Sequence, residues 1–381
     1  MPLLSPADAV LSAKKIYSLI DRVNVREFGS HIHGKFIIKK DSRFKGVAGA
    51  SIFKYESGFG LAAKGTGVYN NEALIVIRGT NTLIKDLLLT DGNIGLQYTA
   101  SGHTVHAGFN KVFRSFEKDL IKFFRGYMPY RVHCVGHSLG GALATIVAEW
   151  IARNKASQPI LYTFGSPRVG LEGFGKSLTT QIGANNIYRA YHRTDVVSMV
   201  PLWPFMHVPQ PGIECFLESP GFAPGIAYHK TDKYLQSIGK AQNWDDLRRK
   251  EPPESLDTQL ETWLASDSFV ALTANTIHLV SESLRYILKK ILLITGIGVQ
   301  TVLITGLTLL DRIAIALEQA AAISKDISGL IKRFIAKIAK ALGIAAVDTG
   351  KLSFELIKWL LVKFSRAAYD LAQQAIRIVH Q

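Results

Sequence analysis

The sequence predicts an α/β fold followed by an all-helical C-terminal region. Between about residues 30 and 245, short segments rich in β-branched and aromatic residues alternate with segments of helical period, which indicates a largely parallel central sheet covered by helices. Around residues 240–257 the composition shifts to charged residues and the pair Pro252–Pro253, which is typical of a linker. Beyond this pair the chain has helix-forming composition and no further proline. We therefore predict a domain at residues 1–248 and a helical domain at residues 249–381.

The individual elements follow from local patterns. Ser5 and Pro6 predict the N-cap and first residue of an N-terminal helix. Runs of β-branched and aromatic residues predict strands over residues 35–40, 50–55, 58–64, 73–80, 130–136, from 160 onward and from 185 onward. Helical periods predict helices over residues 110–127 and 140–154.

Charge and cysteine content narrow the classes of protein. The net charge is +15, and residues 285–381 carry 14 Lys and Arg against six Asp and Glu. Such a basic surface attracts nucleic acid or anionic lipid, and since no nucleic-acid motif is present, lipid is favoured. Cys134 and Cys215 lie in apolar, strand-like runs and are predicted to be buried free thiols. We expect no metal site and no cofactor. We also expect no cleaved secretory signal, because the N-terminus lacks a basic stretch before an apolar run.

The segment Gly136-His137-Ser138-Leu139-Gly140 is the strongest local signal of chemistry. It is a G-x-S-x-G pattern with a predicted strand before it and a predicted helix after it. In that context the serine occupies a sharp, strained turn, and the flanking glycines let neighbouring backbones pass closely. The N-terminus of the following helix favours a developing oxyanion. The pattern therefore predicts that Ser138 is a nucleophile.

A serine nucleophile needs a histidine base and an acid that orients it. In hydrolases of this kind the chain order is serine, acid, histidine. Asp195 follows a predicted strand and is the first suitable acid. His207 and His229 both follow it; we favour His229, because a loop before a helix holds an imidazole better than the strand start predicted at His207.

Residues 70–235 resemble the class 3 lipases, which have the α/β-hydrolase fold. The resemblance rests on the family's order of segments, which here read "IVIRGT", "VHAGF", "GHSLGGALA", "FGSPRVG", "TDVVSMVP" and "YHKTDKYL". It implies a triad of Ser138, Asp195 and His229. It also implies an oxyanion hole formed by the backbone amides of Thr80 and Leu139.

The resemblance also places a possible lid after Thr80. Fungal members carry an amphipathic segment there, and the corresponding residues of this chain are Leu83, Ile84, Leu87 and Leu88. An ordinary surface helix packed on the core is the alternative interpretation. The chain departs from the family pattern at Val196, where proline is common. It also has only 34 residues between Asp195 and His229, which leaves less acyl-binding loop than the fungal members have.

The tail contains an uncharged stretch, residues 292–310, that raises three alternatives. The first alternative is a helix that spans a bilayer. The second is a region that lies on a membrane surface through basic amphipathic helices. The third is the central helix of a soluble bundle, buried on all sides. Five Thr and Gln residues within the stretch make it a weak bilayer-spanning helix. The soluble bundle is therefore favoured. The segment "LIKRFIAKIAKAL" predicts an apolar face of Ile331, Phe334, Ile335, Ile338 and Leu342, with lysines mostly opposite.

A lipase-like domain fused to a helical tail also resembles, in architecture, the antibacterial lipase effectors of type VI secretion systems. We therefore expect a serine phospholipase A-type hydrolase acting on membrane glycerophospholipids, delivered into a target cell. The resemblance implies a secretion-apparatus or chaperone protein and a cognate immunity protein as partners. A triacylglycerol or short-ester lipase is the alternative enzyme. A membrane-inserting toxin or partner-binding module is the alternative of another class.

Overall fold

The fold is organised by a mixed central sheet that carries helices on both faces. A computed structural model describes the chain. The described residues are 2–20, 28, 30–39, 42–48, 55–79, 95–154, 157–211, 213–220, 225–248, 256–268, 270–296, 298, 307–345 and 347–379.

The described strands form two sheets. They are β1 Phe36–Ile37, β2 Arg43–Ala48, β3 Tyr55–Gly65, β4 Glu72–Ile77, β5 Leu96–Tyr98, β6 Thr104–His106, β7 Arg131–His137, β8 Gln158–Phe164, β9 Gly170–Leu171, β10 Ile187–His192, β11 Phe205–Met206 and β12 Cys215–Leu217. The large sheet has the order β1-β3-β4-β7-β8-β10-β12, and β2 also pairs with β3. A small antiparallel sheet has the order β11-β9-β6-β5.

Strands β4, β7, β8, β10 and β12 of the large sheet are mutually parallel. Their side chains are buried almost throughout, as expected for strands covered on both faces. Parallel strands end at the same edge of a sheet, so the loops after β4, β7, β8 and β10 are brought together. The predicted α/β class is confirmed.

The described helices follow the strands and fill the C-terminal region. They are α1 Pro6–Lys15, α2 Ala107–Phe124, α3 Leu139–Asn154, α4 Glu172–Ile182, α5 Thr231–Ile238, α6 Leu256–Ala265, α7 Ala274–Thr295, α8 Leu309–Ile323, α9 Lys325–Ala341 and α10 Phe354–Val379. The predicted start of α1 is confirmed, since the Ser5 side chain accepts a hydrogen bond from the amide of Asp8 and Pro6 follows it. The strand predicted over 50–55 lies largely outside the described residues, and β1 is shorter than predicted.

Two apolar cores lie on opposite faces of the large sheet. One contains α1, α5 and Trp244, and the other contains α2, α3 and α4 together with α7 to α10. The helical region therefore shares one continuous core with the α/β part of the chain. Cys134 and Cys215 are buried free thiols, as predicted.

The prediction of one central buried helix over residues 292–310 is wrong. Helix α7 ends at Thr295, where Gly296 has φ 71° and its amide donates to the carbonyl of Leu292. A new helix begins at Leu309, after a capping box between Thr308 and Asp311. Among the described residues, no helix has both the length and the apolar content that crossing a membrane requires.

Helix α9 also corrects one detail of the predicted amphipathic pattern. Ile331, Phe334, Ile335 and Ile338 are buried as predicted, but Lys337 is buried as well. Its ammonium donates to the carbonyl and hydroxyl oxygens of Ser266, at 2.7 and 2.9 Å, and lies over a tryptophan ring of α6. The long lysine stem is covered by apolar neighbours while its charged end reaches two acceptors, which a helical period does not reveal.

Arg168 joins the helical region to the α/β part. This buried side chain follows β8 and donates through Nη1 to the carbonyls of Met199 and Pro201 and to Oγ of Ser281 on α7. Oγ of Ser281 also accepts from the amide of Trp203, at 3.0 Å. One arginine therefore fixes α7 against the segment that follows Asp195.

His207 lies beside Arg168 in this interface. Its Nε2 accepts from Arg168 Nε at 3.1 Å and lies 3.0 Å from an Nη of Arg189. Removal of the imidazole from water, followed by the charges of Arg189 and Arg168, lowers the pKa of His207 well below its ordinary value. Burial likewise lowers the pKa of His278 on α7. Both imidazoles are therefore neutral in the folded protein near neutral pH.

These neutral histidines predict acid sensitivity of the fold. In the unfolded chain a histidine binds a proton below about pH 6.5, whereas in the folded chain His207 and His278 resist protonation. Because the unfolded state binds more protons, the free energy of unfolding falls as pH falls through this range. Denaturant unfolding between pH 7 and pH 4.5 should show a loss of more than about 1 kcal/mol from these two groups.

A matched pair of variants separates this effect from general acid denaturation. His207→Gln keeps an acceptor for the arginines and should make the pH dependence between 7 and 4.5 shallower. His33→Gln, which changes an exposed histidine, should leave the slope of the wild type. Equal slopes for all three proteins would contradict the assignment to His207.

Candidate active site

Ser138 lies in the turn between strand β7 and helix α3. It has φ 58°, in the left-handed region that non-glycine residues rarely adopt. A Cβ on Gly136 would lie 2.1 Å from the carbonyl oxygen of Gly140, and one on Gly140 would lie 2.2 Å from that of Ile77. The two glycines therefore allow the turn, and the strained backbone directs the serine side chain away from the strand.

The structure brings Ser138, Asp195 and His229 together. Nε2 of His229 lies 2.9 Å from Oγ of Ser138. Nδ1 of His229 lies 2.8 Å from Oδ2 and 3.0 Å from Oδ1 of Asp195. All three side chains are buried. The hydroxyl can therefore pass its proton to an imidazole that a carboxylate orients from the opposite side.

Asp195 is a fully buried carboxylate with three hydrogen-bond donors. Besides His229, it accepts from the hydroxyl of Tyr234 at 2.6 Å and from the backbone amide of Val197 at 3.0 Å. Burial alone would raise the pKa of Asp195, but the charge of His229 and the hydrogen bonds from His229 and Tyr234 outweigh it and lower that pKa. The carboxylate is therefore ionised and able to hold His229 in one orientation.

Gly165, directly after strand β8, leaves room for this carboxylate. It has φ 54°, and a Cβ there would lie 2.5 Å from Oδ2 of Asp195 and 3.0 Å from Nδ1 of His229. Gly165, the first glycine of the segment "FGSPRVG", is thus required because any side chain there would collide with the carboxylate of Asp195.

The predicted oxyanion hole is described in part. Leu139 is the first residue of α3, so its amide belongs to the helix N-terminal donors that have no acceptor within the helix. Thr80 lies outside the described residues, but a Cβ on Gly79 would be 3.1 Å from Cβ of Ser138. The chain leading to Thr80 therefore runs beside the nucleophile. The predicted lid residues Leu83, Ile84, Leu87 and Leu88 also lie outside the described residues.

Tyr17 connects three parts of the site through hydrogen bonds. Its hydroxyl accepts from the amide of Gly79 at 3.2 Å and lies 2.8 Å from Nδ1 of His137. Nε2 of His137 lies 2.7 Å from the carbonyl oxygen of His229. Since a carbonyl only accepts, Nε2 of His137 carries the proton and Nδ1 accepts from Tyr17. Burial raises the pKa of Tyr17, so its hydroxyl remains a donor.

His192, the last residue of β10, holds the segment that carries His229. Its Nδ1 lies 2.9 Å from the carbonyl of Tyr228, and its Nε2 lies 2.9 Å from Oγ of Ser237 on α5. Burial lowers the pKa of His192 to about 4, so the imidazole is neutral and donates to Tyr228. This histidine positions the neighbouring backbone and does not contact Ser138 or Asp195 in the hydrogen bonds of the described residues.

The helical region packs directly on the site. Helix α10 contacts the short helical turns Val196–Met199 and Gly225–His229, and α7 contacts the first of them. The first turn follows Asp195, and the second ends at His229 itself. Ser138 itself is only 3 % exposed. His207, the alternative base, contacts Arg168 and Arg189 instead of Asp195.

A serine in a strand-to-helix turn, followed in the chain by an acid and a histidine at the same sheet edge, defines an α/β-hydrolase. Residues 74–205, about a third of the chain, match the family Lipase (class 3). The relatives include the secreted mono- and diacylglycerol lipase 1 of Fusarium solani. It is 30 % identical over 171 residues, which are 43 % of this chain and 48 % of that protein. The lipase of Rhizomucor miehei is 34 % identical over 112 residues, 26 % of this chain and 30 % of that one.

Solved structures of lipases also align with the chain. The Lip2 lipase of Yarrowia lipolytica aligns with a TM-score of 0.44 and 22 % identity, over 56 % of this chain and 78 % of that one. Lipase II of Rhizopus niveus aligns with a TM-score of 0.43 and 21 % identity, over 56 % of this chain and 80 % of that one. The chain spans about half or less of the Fusarium solani and Rhizomucor miehei relatives. The similarity to the class 3 lipase family is carried by residues 74–205.

The positioning contacts of Tyr17, Tyr234 and His192 were not predicted from the sequence. Tyr234 lies one helical turn after the predicted base, in the segment "YHKTDKYL", so a search for hydroxyl donors near His229 could have found it. No comparable signal exists for Tyr17, which precedes the matched segment and reaches the site only through the fold.

Tyr17→Phe tests whether this hydrogen-bonded chain positions the site. The variant removes the hydroxyl that bonds the Gly79 amide and His137 Nδ1, at a cost of about 1–3 kcal/mol. We expect kcat on a soluble ester to fall roughly tenfold, with a smaller change in KM, because the oxyanion side and the His229 carbonyl both lose support.

Tyr130→Phe is the matched control, because Tyr130 is 52 % exposed. It should retain wild-type kinetics. If Tyr17→Phe lowers thermal stability but leaves kcat unchanged, Tyr17 has only a structural role.

Proposed function

We propose that the chain is a serine carboxylic ester hydrolase that cleaves acyl esters of membrane glycerophospholipids, a phospholipase of type A. The observation that carries the hydrolase assignment is the continuous hydrogen-bonded array from Ser138 through His229 to Asp195. The proposal requires no metal or cofactor, because the array supplies nucleophile, base and orienting acid.

In the first half of the reaction, Oγ of Ser138 attacks the ester carbonyl while Nε2 of His229 takes its proton. The ionised carboxylate of Asp195 stabilises the resulting imidazolium. The amide of Leu139, with that of Thr80, receives the oxyanion of the tetrahedral intermediate. His229 then returns the proton to the departing alcohol oxygen, and the lysophospholipid leaves an acyl group on Ser138.

In the second half, water replaces the alcohol. Nε2 of His229 removes a proton from the water as it attacks the acyl carbonyl, and the oxyanion again lies against the two amides. Collapse of the intermediate returns the proton to Ser138 and releases the fatty acid. The proton transfers in both halves use the hydrogen bonds of His229 with Ser138 and Asp195.

The choice of phospholipid rests on the surface of the helical region. Residues 285–381 carry 14 basic and six acidic residues, which favours contact with an anionic lipid surface. Relatives named as mono- and diacylglycerol lipases make a neutral glyceride the alternative substrate. Product analysis on phospholipid vesicles, diacylglycerol and triacylglycerol decides between them.

We extend the proposal to the biological setting that the architecture resembles, a secreted antibacterial lipase effector. It would act at the membrane of a target cell and have a cognate immunity protein and a secretion-apparatus or chaperone protein as partners. Relatives named as secreted lipases support secretion. Expression in the periplasm of a test bacterium would show growth inhibition that depends on Ser138. Full toxicity of Ser138→Ala would favour a membrane-inserting toxin or partner-binding module instead.

Ser138→Ala should lower kcat on phospholipid vesicles by at least about a thousandfold, because no other group replaces the nucleophile. Fatty acid release, measured by mass spectrometry, checks this loss. Ser115→Ala, which changes an exposed serine of α2, should retain full activity. Hydrolysis that survives Ser138→Ala would remove the triad assignment.

A further inference from the structure

The end of the helical region where α7 stops and α8 starts carries a group of exposed apolar side chains. Leu292, Leu293 and Ile294 are 52 %, 74 % and 59 % exposed, and Leu307 is 42 % exposed. We call these four residues the apolar tip. Folded proteins normally cover consecutive large apolar side chains such as Leu292, Leu293 and Ile294, so their exposure indicates an interaction site.

The arrangement of the apolar tip favours lipid over a protein partner. Three consecutive residues of an α-helix point in directions about 100° apart, so Leu292, Leu293 and Ile294 cover more than half of the circumference of α7. A partner helix or groove covers one face of a helix, whereas acyl chains surround an inserted segment on every side.

The charge pattern around the apolar tip supports the same occupant. Residues 291–310 contain no charged side chain, and Lys289 is exposed one turn before Leu293. A lysine beside an apolar end can extend its ammonium toward lipid phosphates while the apolar residues enter the membrane. The basic excess of residues 285–381 adds a longer-range attraction to an anionic surface.

We propose that the apolar tip inserts into the interfacial layer of an anionic phospholipid membrane and attaches the protein there without spanning it. Ser281, which Arg168 fixes to the segment after Asp195, lies 12 residues before Leu293 on the same helix, about 18 Å along its axis. Insertion would therefore attach to the lipid surface the helix that Arg168 joins to the segment after Asp195. The inference rests on the proposed function for the role of the lipid as substrate, but membrane attachment is measurable without hydrolysis.

The first experiment places an environment-sensitive fluorophore on the apolar tip. Leu293→Cys is labelled in a Ser138→Ala background, where Cys134 and Cys215 are buried and unreactive. The control is Ile323→Cys, because Ile323 is 63 % exposed at the far end of α8, about 21 Å from its start. Both proteins are titrated with phosphatidylglycerol/phosphatidylethanolamine vesicles and with phosphatidylcholine vesicles.

We expect the fluorophore at position 293 to show a blue shift and increased emission, and the fluorophore at 323 to show neither. The change at 293 should be larger with the anionic vesicles than with phosphatidylcholine vesicles. No change at 293, or an equal change at both positions, would overturn it. A blue shift at 293 that grows with protein concentration in the absence of vesicles would overturn it too, because a second copy would then cover the tip.

A second experiment measures attachment by vesicle sedimentation. Leu293→Glu should weaken partition into anionic vesicles about tenfold or more, because a charged side chain replaces an inserted apolar one. Ile323→Glu should leave the partition unchanged. If Leu293→Glu still hydrolyses a soluble short-chain ester, its active site is intact. If the wild-type protein does not hydrolyse that ester, the proposed function is refuted, whatever the result for membrane attachment.

Discussion

The buried carboxylate of Asp195 is the constraint on which the rest of the site depends. An ionised group without solvent costs several kcal/mol unless every oxygen is paired, so its donors must be in place for the fold to be stable. His229, the hydroxyl of Tyr234 and the amide of Val197 supply them. They come from three different segments after strand β10, so the requirement that stabilises the charge also positions the base. Gly165 follows from the same need, because a side chain there would occupy the position of the carboxylate.

How much of the site could be read from the sequence depends on how local each signal is. The turn at Ser138 is specified by Gly136 and Gly140 within five residues, and the parallel sheet then brings the loop carrying Asp195 to the same edge. Tyr17 is different. Its contacts with Gly79 and His137 span more than sixty residues of chain and depend on how α1 packs, which no local pattern encodes.

The helical region shows the same distinction between local and long-range information. Apolar composition over residues 292–310 indicated a single helix, but it does not say where a helix stops. The stop signals were present in the sequence, since Gly296 can adopt the left-handed cap and Thr308 with Asp311 forms a capping box. Burial of Lys337 could not be read in this way, because it depends on Ser266, the residue that follows helix α6. Composition therefore predicted that the C-terminal region is helical. The exposure of the apolar tip depends on how the helices pack, so composition did not predict it.

The helical region and the turn that follows Asp195 share one apolar core. Val196, Val197 and Met199, which follow Asp195, belong to the same apolar core as α7 and α10. Separating these helices from the α/β part would expose that core and remove the Ser281 acceptor from the buried Arg168, which also bonds the carbonyl of Met199. A force or ligand acting on α7 is thus connected to the acid through a helix, one arginine and one short turn.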